Sequence, residues 1–125
     1  MEDCIFCKIV AKEIPSEIVY ETDDVLSFKD MAPSAPIHYL IIPKKHLANL
    51  SDTMAADQGL VDNVMLAITK IAEKLGVSAA YKATTNNGEN AGQVVPHFHF
   101  HLLAGWKNKV DATLGIYKIS NNDRQ

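Results

Sequence analysis

Between Ser51 and Leu75, apolar residues recur at intervals of three and four. Leu60, Val61, Val64, Met65, Ile68, Ile71, Ala72 and Leu75 share one side, leaving Asp62, Asn63, Lys70 and Glu73 to face outward. This spacing predicts one long amphipathic helix, with Ser51 or Thr53 suited to cap its start and Gly76 to the left-handed stop. Elsewhere the pattern is that of strands. Residues 17–22 (EIVYET) and 24–30 (DVLSFKD) mix β-branched and aromatic residues around Asp23-Asp24 and predict a strand pair. A Pro/Ser loop at 31–36 cannot join a ladder. The apolar run 38–43 ends at Pro43 and predicts a buried strand. Residues 81–85 (YKATT) and 94–104 (VVPHFHFHLLA) predict two more strands, separated by a polar loop at 86–92. A short helix is expected to start at Cys4 and end near Lys12. One long helix packed on a face of an antiparallel sheet of about five strands is an α+β fold.

Composition narrows the class without changing that picture. The chain has 125 residues, 47% of them hydrophobic, which suits one core. Twelve basic residues against fifteen acidic give a net charge of −3, with no basic stripe to track a nucleic-acid backbone. No apolar run approaches the ~20 residues of a membrane span, and the N-terminus does not read as a signal peptide. A cytoplasmic protein with neither nucleic acid nor membrane as partner is expected. Beyond Trp106 the pattern weakens, so 1–106 is taken as the domain and 107–125 as a partly disordered extension, frayed at 120–125 (SNNDRQ).

Candidate chemistry concentrates in PHFHFHLLAG, residues 96–105, which holds three of the five histidines. Strand side chains alternate between faces, so His97, His99 and His101 share one face while Phe98, Phe100 and Leu102 fill the other. Three imidazoles are expensive core filler, because each needs a polar partner when buried. Besides a plain solvated face, two readings stand: a transition-metal site, or catalysis with one imidazole as nucleophile. Spacing alone does not separate them.

The flanking motifs add a resemblance. PHFHFHLL, the upstream NNGENAGQVV, and D-x-x-P-x-x-P-x-H at Asp30 to His38 followed by LIIPKKH resemble the histidine-triad (HIT) family of nucleotide-binding hydrolases. The chain is most similar to its purine-nucleoside phosphoramidase branch, from about Cys4 to Ala104. The resemblance implies a HIT-like fold and cleavage of purine nucleoside phosphoramidates or aminoacyl-adenylates through a nucleotidyl-histidine intermediate. It makes His99 the nucleophile, its tautomer locked by the backbone carbonyl of His97. His101 and His38 become donors to the phosphate oxygens. Asp30 is implied at the ribose hydroxyls. Ile5, Phe6, Ile9, Phe28 and Leu40 are implied as the slot for the base. Met31, Asn86, Gly92, Gln93, Val94 and Val95 complete the implied nucleotide site. No cofactor is implied for catalysis.

Two departures from the family pattern stand out. Many phosphoramidases of this branch carry a serine after the Gly-Gln pair, where this chain has Val94. The ending AGWKNK lacks the glycine-rich continuation of close relatives. The pair Cys4-x-x-Cys7 suggests a metal or redox pair rather than a disulfide. By resemblance to bacterial members, Cys4, Cys7, His46 and His97 form a structural zinc site, a Cys₂His₂ set that suits tetrahedral zinc. The resemblance also implies a two-fold homodimer through the long helix and the strand at 81–85. The alternatives are dinucleoside polyphosphate hydrolysis or nucleotidyl transfer within the same family, or a nucleotide-binding module without catalysis.

Overall fold

The structure, a computed structural model, describes residues 3–114. A short helix α1 (Ile5–Val10) precedes the strands β1 (Ile18–Glu21), β2 (Val25–Lys29) and β3 (Ile37–Pro43). The long helix α2 (Gln58–Lys74), β4 (Tyr81–Thr84), β5 (Phe100–Ala104) and a short α3 (Lys109–Leu114) follow. The five strands form one antiparallel sheet in the order β1-β2-β3-β5-β4. The α+β reading, with five strands, one long helix and a short N-terminal helix, matches this architecture.

Strand alternation divides the core between the two faces of the sheet. Val25, Ile41, Leu102 and Ala104 point to one face and pack on Val64, Ala67, Ile68 and Ile71 of α2. Burying a side chain such as Ile41 or Leu102, each 0% exposed, contributes roughly 1.5–3 kcal/mol. Leu26, Phe28, Leu40 and Ile42 point to the other face and pack on Cys4, Phe6 and Ile9 at the N-terminus. The register sets His38 opposite Leu103 and Leu40 opposite His101. His38 and His101 are therefore diagonal neighbours on the α1 face, within side-chain reach of one another.

Two predicted boundaries move. Helix α2 starts at Gln58, not near Ser51, because residues 50–52 and 55–57 form separate 3-10 turns and Thr53 and Met54 between them are extended. Asp57, buried at 6% exposure, holds the second turn by accepting the Met54 N–H (2.9 Å) and the Lys45 ammonium (2.6 Å). The stop is as expected, with Gly76 at φ +74°. The strand predicted over 94–104 pairs only from Phe100. Pro96 has no N–H to give, and the His97 N–H turns back to the Val95 carbonyl (2.8 Å). Helix α3 lies inside the expected extension; the Asn108 side chain accepts the Asp111 N–H (2.9 Å), and the Lys82 ammonium meets the Ala112 carbonyl (2.6 Å). The segment 120–125 lies outside the described residues. Among the described residues, no helix is long and apolar enough to cross a membrane.

Candidate active site and metal centre

All five histidines gather on the α1 face in two runs of ring contacts. Ring centroids lie 4.9 Å apart for His46 and His97, 5.0 Å for His99 and His101, and 5.1 Å for His38 and His101. Phe6 bridges the gap between the runs, its ring edge-on to both His97 (5.9 Å) and His99 (5.2 Å). Hydrogen bonds divide the five into three chemically distinct settings.

The first setting holds His97 and His46. The His97 Nε2–H donates to the Pro43 carbonyl (2.9 Å), because that oxygen can only accept. The Nδ1 lone pair is left facing Cys4 Sγ at 3.4 Å and Cys7 Sγ at 3.6 Å. His46 Nδ1 lies 3.2 Å from Cys7 Sγ. Ordinary zinc–sulfur and zinc–nitrogen bond lengths require tetrahedron edges of about 3.3–3.8 Å. All four donor atoms lie within 4.8 Å of one another, and the measured S–N separations come close to those edges. A second-sphere carbonyl on the ligand ring, as Pro43 provides, is the usual way of aiming such a nitrogen. Cys4 and Cys7 are unbridged thiols, and burial, with the neighbouring Cys4 thiol, pushes Cys7 up to about 11. Burial holds His97 down at about 4, in the neutral form a ligand needs.

The second setting is His99, 5% exposed. Its Nδ1–H donates to the carbonyl of His97 (2.7 Å), so its Nε2 carries the lone pair. The carbonyl of His99 accepts the Thr85 hydroxyl (2.7 Å), fixing the backbone on which the ring sits. Burial lowers its pKa, which keeps the ring neutral and nucleophilic near neutral pH.

In the third setting, the Ser34 backbone N–H donates to His38 Nδ1 (2.9 Å). His38 Nε2 lies 2.9 Å from His101 Nδ1 and 3.3 Å from Asp30 Oδ2. The other oxygen of Asp30 accepts the Ala32 N–H (2.8 Å). Two histidines and a carboxylate this close form a donor set that transition metals use. The Ser34 amide argues against it: a histidine ligating through Nε2 carries its proton on Nδ1, where that N–H already points. Burial lowers the pKa of both rings, taking His101 to about 4.

The remaining candidate residues fall into two groups. Phe6, Ile9, Phe28 and Leu40 pack together in the apolar cluster of the α1 face, each at most 7% exposed, whereas Ile5 is 45% exposed beside them. The polar loop forms the wall of a groove of about 510 Å³, lined by Ala48, Asn49, Gly88, Gly92, Gln93 and Val94. Gly92 has φ +93°, and a Cβ there would lie 3.5 Å from the Asn86 amide nitrogen. The Gln93 side chain braces this wall: its oxygen accepts the Gly88 N–H, and its amide donates to the carbonyls of Ala48 and Val95. Val94 is 89% exposed and Met31 72% exposed, while Val95 tucks against the α1 cluster. Ser34, Pro43 and Thr85 were not among the candidates read from the sequence. Ser34 and Pro43 act through backbone groups, which carry no residue signature.

The match to known proteins agrees with this geometry. The family model described as HIT domain matches residues 11–108. An uncharacterized HIT-like protein of Synechococcus elongatus is 46% identical over 104 residues, covering 83% of this chain and 91% of its own length. The structure of a HIT family hydrolase from Clostridium thermocellum superposes with a TM-score of 0.83 at 44% identity, covering 86% of this chain and 94% of that one. A histidine triad protein from Clostridium difficile gives 0.82 at 44% identity, covering 87% and 96%. With three histidines in alternation, a matching fold and these relatives, the chain belongs to the HIT domain family.

Proposed function

We propose that this protein is a nucleotide-binding hydrolase that cleaves purine nucleoside phosphoramidates or aminoacyl-adenylates to the nucleoside monophosphate. The observation that carries this reading is the His99 hydrogen bond to the His97 carbonyl, which leaves a neutral Nε2 lone pair beside His101. His99 Nε2 attacks the α-phosphorus as the bond to the leaving nitrogen or acyl oxygen breaks; an amine leaves with a proton taken from water, and an acyl group leaves as its carboxylate. The ring is then an imidazolium whose Nδ1–H still meets the His97 carbonyl, now a charge-assisted bond. Positive charge on the ring already develops in the transition state, so that bond is stronger there than in the free enzyme, which is the condition for accelerating the reaction. Water next attacks phosphorus as the Nε2–P bond breaks, giving the monophosphate, one proton returned to solvent, and neutral His99. His101 donates to a non-bridging phosphate oxygen as charge develops. Asp30 at the ribose, Ile5 at the base, and the Gly92–Val95 loop at the phosphates complete the reading.

The donor set Cys4, Cys7, His46 and His97 supports a structural zinc that pins the N-terminal segment. Its unbridged thiols suit a reducing compartment such as the cytoplasm. A homodimer through the free edge of β4 and the exposed Met65 and Leu66 of α2 fits the same reading. The test is a side-by-side measurement of kcat/KM on an adenosine phosphoramidate and a diadenosine polyphosphate. A clear preference for the phosphoramidate is expected. A preference for the polyphosphate moves the protein to another branch, and turnover of neither leaves a binding module.

A further inference from the structure

We propose that His38 is a positioning residue, and that the Ser34 backbone amide acts through it to hold His101 in the tautomer that donates to substrate. The inference rests on the hydrolase reading for its kinetic consequence but not for its structural part. It follows from which nitrogens can carry hydrogen. The Ser34 N–H points at His38 Nδ1 (2.9 Å), so Nδ1 must be the acceptor. Neutral His38 then carries its proton on Nε2, the nitrogen 2.9 Å from His101 Nδ1. If His101 Nδ1 were the donor instead, His38 would have no proton on either nitrogen. His101 Nδ1 is therefore the acceptor, and its own proton sits on Nε2.

Both rings lie where this directional chain matters. His38 is 5% exposed, while His101 is only partly covered and stands beside His99. With Nδ1 occupied by His38, the free edge of His101 is Nε2–H, which meets a phosphate oxygen as a donor without rearrangement. Asp30 Oδ2, 3.3 Å from His38 Nε2, leans on the same proton and favours its staying there. His38 differs in this from its expected role as a direct phosphate donor, because both of its ring nitrogens already have partners inside the protein. The chain runs one way: amide to His38, His38 to His101, His101 to substrate.

The experiment uses full-length protein labelled with ¹⁵N-histidine. Long-range ¹H–¹⁵N spectra near neutral pH report which nitrogen of each ring is protonated, and kcat and KM on an adenosine phosphoramidate are measured alongside. Wild type is expected to show Nε2–H at both His38 and His101. In His38→Leu, His101 is expected to lose its single tautomer and kcat to fall tenfold to a hundredfold, with KM within about threefold. His38→Gln, whose side-chain amide can donate to His101 Nδ1, is expected to restore the Nε2–H signal and most of kcat. Wild-type His101 protonated at Nδ1 would overturn the inference, as would a His101 tautomer unchanged in His38→Leu. Expected tautomers in a protein that turns over no phosphoramidate would remove the phosphoramidase reading and leave the positioning of His101 standing.

Discussion

Two clusters of the same residue type sit on one face of the sheet and are wired in opposite ways. Around Cys4, Cys7, His46 and His97, the ring N–H of His97 is drawn off by the Pro43 carbonyl, and four metal-ligating atoms lie within 4.8 Å of one another. Around Asp30, His38 and His101, a backbone N–H enters at one end and the lone pairs are spent on one another. The residue inventory of either cluster would suit a metal. What separates them is a single backbone group at the edge of each, an acceptor in one and a donor in the other. His99 stands between the two, its tautomer set by the carbonyl of His97, itself a member of the first cluster. Pinning His97 thus also holds the carbonyl that aims the His99 ring.

The largest effect is expected from breaking the first cluster. Elemental analysis of protein purified without chelator should find about one zinc per chain, and Cys7→Ala should find none. Loss of the metal should lower stability by more than about 4 kcal/mol, and the melting temperature with it, because thiols and imidazoles are left buried with no common partner. Equal zinc content in wild type and variant would make the four residues an ordinary hydrogen-bonded cluster.

Acid should next sharpen the contrast. Burial lowers the pKa of His38 and His101 below 6.5, and takes His101 to about 4. Between about 4 and 6.5 the unfolded chain binds protons that these folded rings refuse, so stability rises with pH through that window. Melting temperatures across it should climb more steeply for wild type than for His101→Asn. Parallel slopes would mean that His101 titrates alike in folded and unfolded protein. The smallest effect concerns the groove rim. Val94→Ser places a hydroxyl on an exposed position, and phosphoramidate turnover should rise less than about tenfold, with no change in melting temperature. A fall in kcat would show that the apolar rim itself matters to the leaving group.

Much of the fold was legible because its signals are periodic. The apolar stripe of α2, the apolar run of β3 and the alternation in β5 each imply burial, and the structure buries most of these positions, although Met65 of the stripe is 48% exposed. The misplaced helix start has a physical cause. Ser51 and Thr53 both have capping side chains, but helix geometry begins only after Asp57 has been tied to Lys45, a contact between distant parts of the chain. The shortened β5 carried its own warning in Pro96, which cannot donate to a ladder. At the site, residue types were legible and wiring was not. Every residue has a carbonyl and nearly every one an N–H, so only the fold reveals that those of Pro43 and Ser34 face imidazoles. Likewise, the resemblance placed Gln93 in the nucleotide site, and only the fold shows that its side chain braces the loop.

The most direct measurement is intact-protein mass spectrometry of wild type and His99→Asn during turnover of an adenosine phosphoramidate. If His99 is the nucleophile, wild type carries a trapped adenylyl adduct that maps to His99, while the variant carries none and turns over at least about 10³-fold more slowly. Release of the amine at similar rates by both proteins, with no adduct on either, would contradict covalent catalysis at His99.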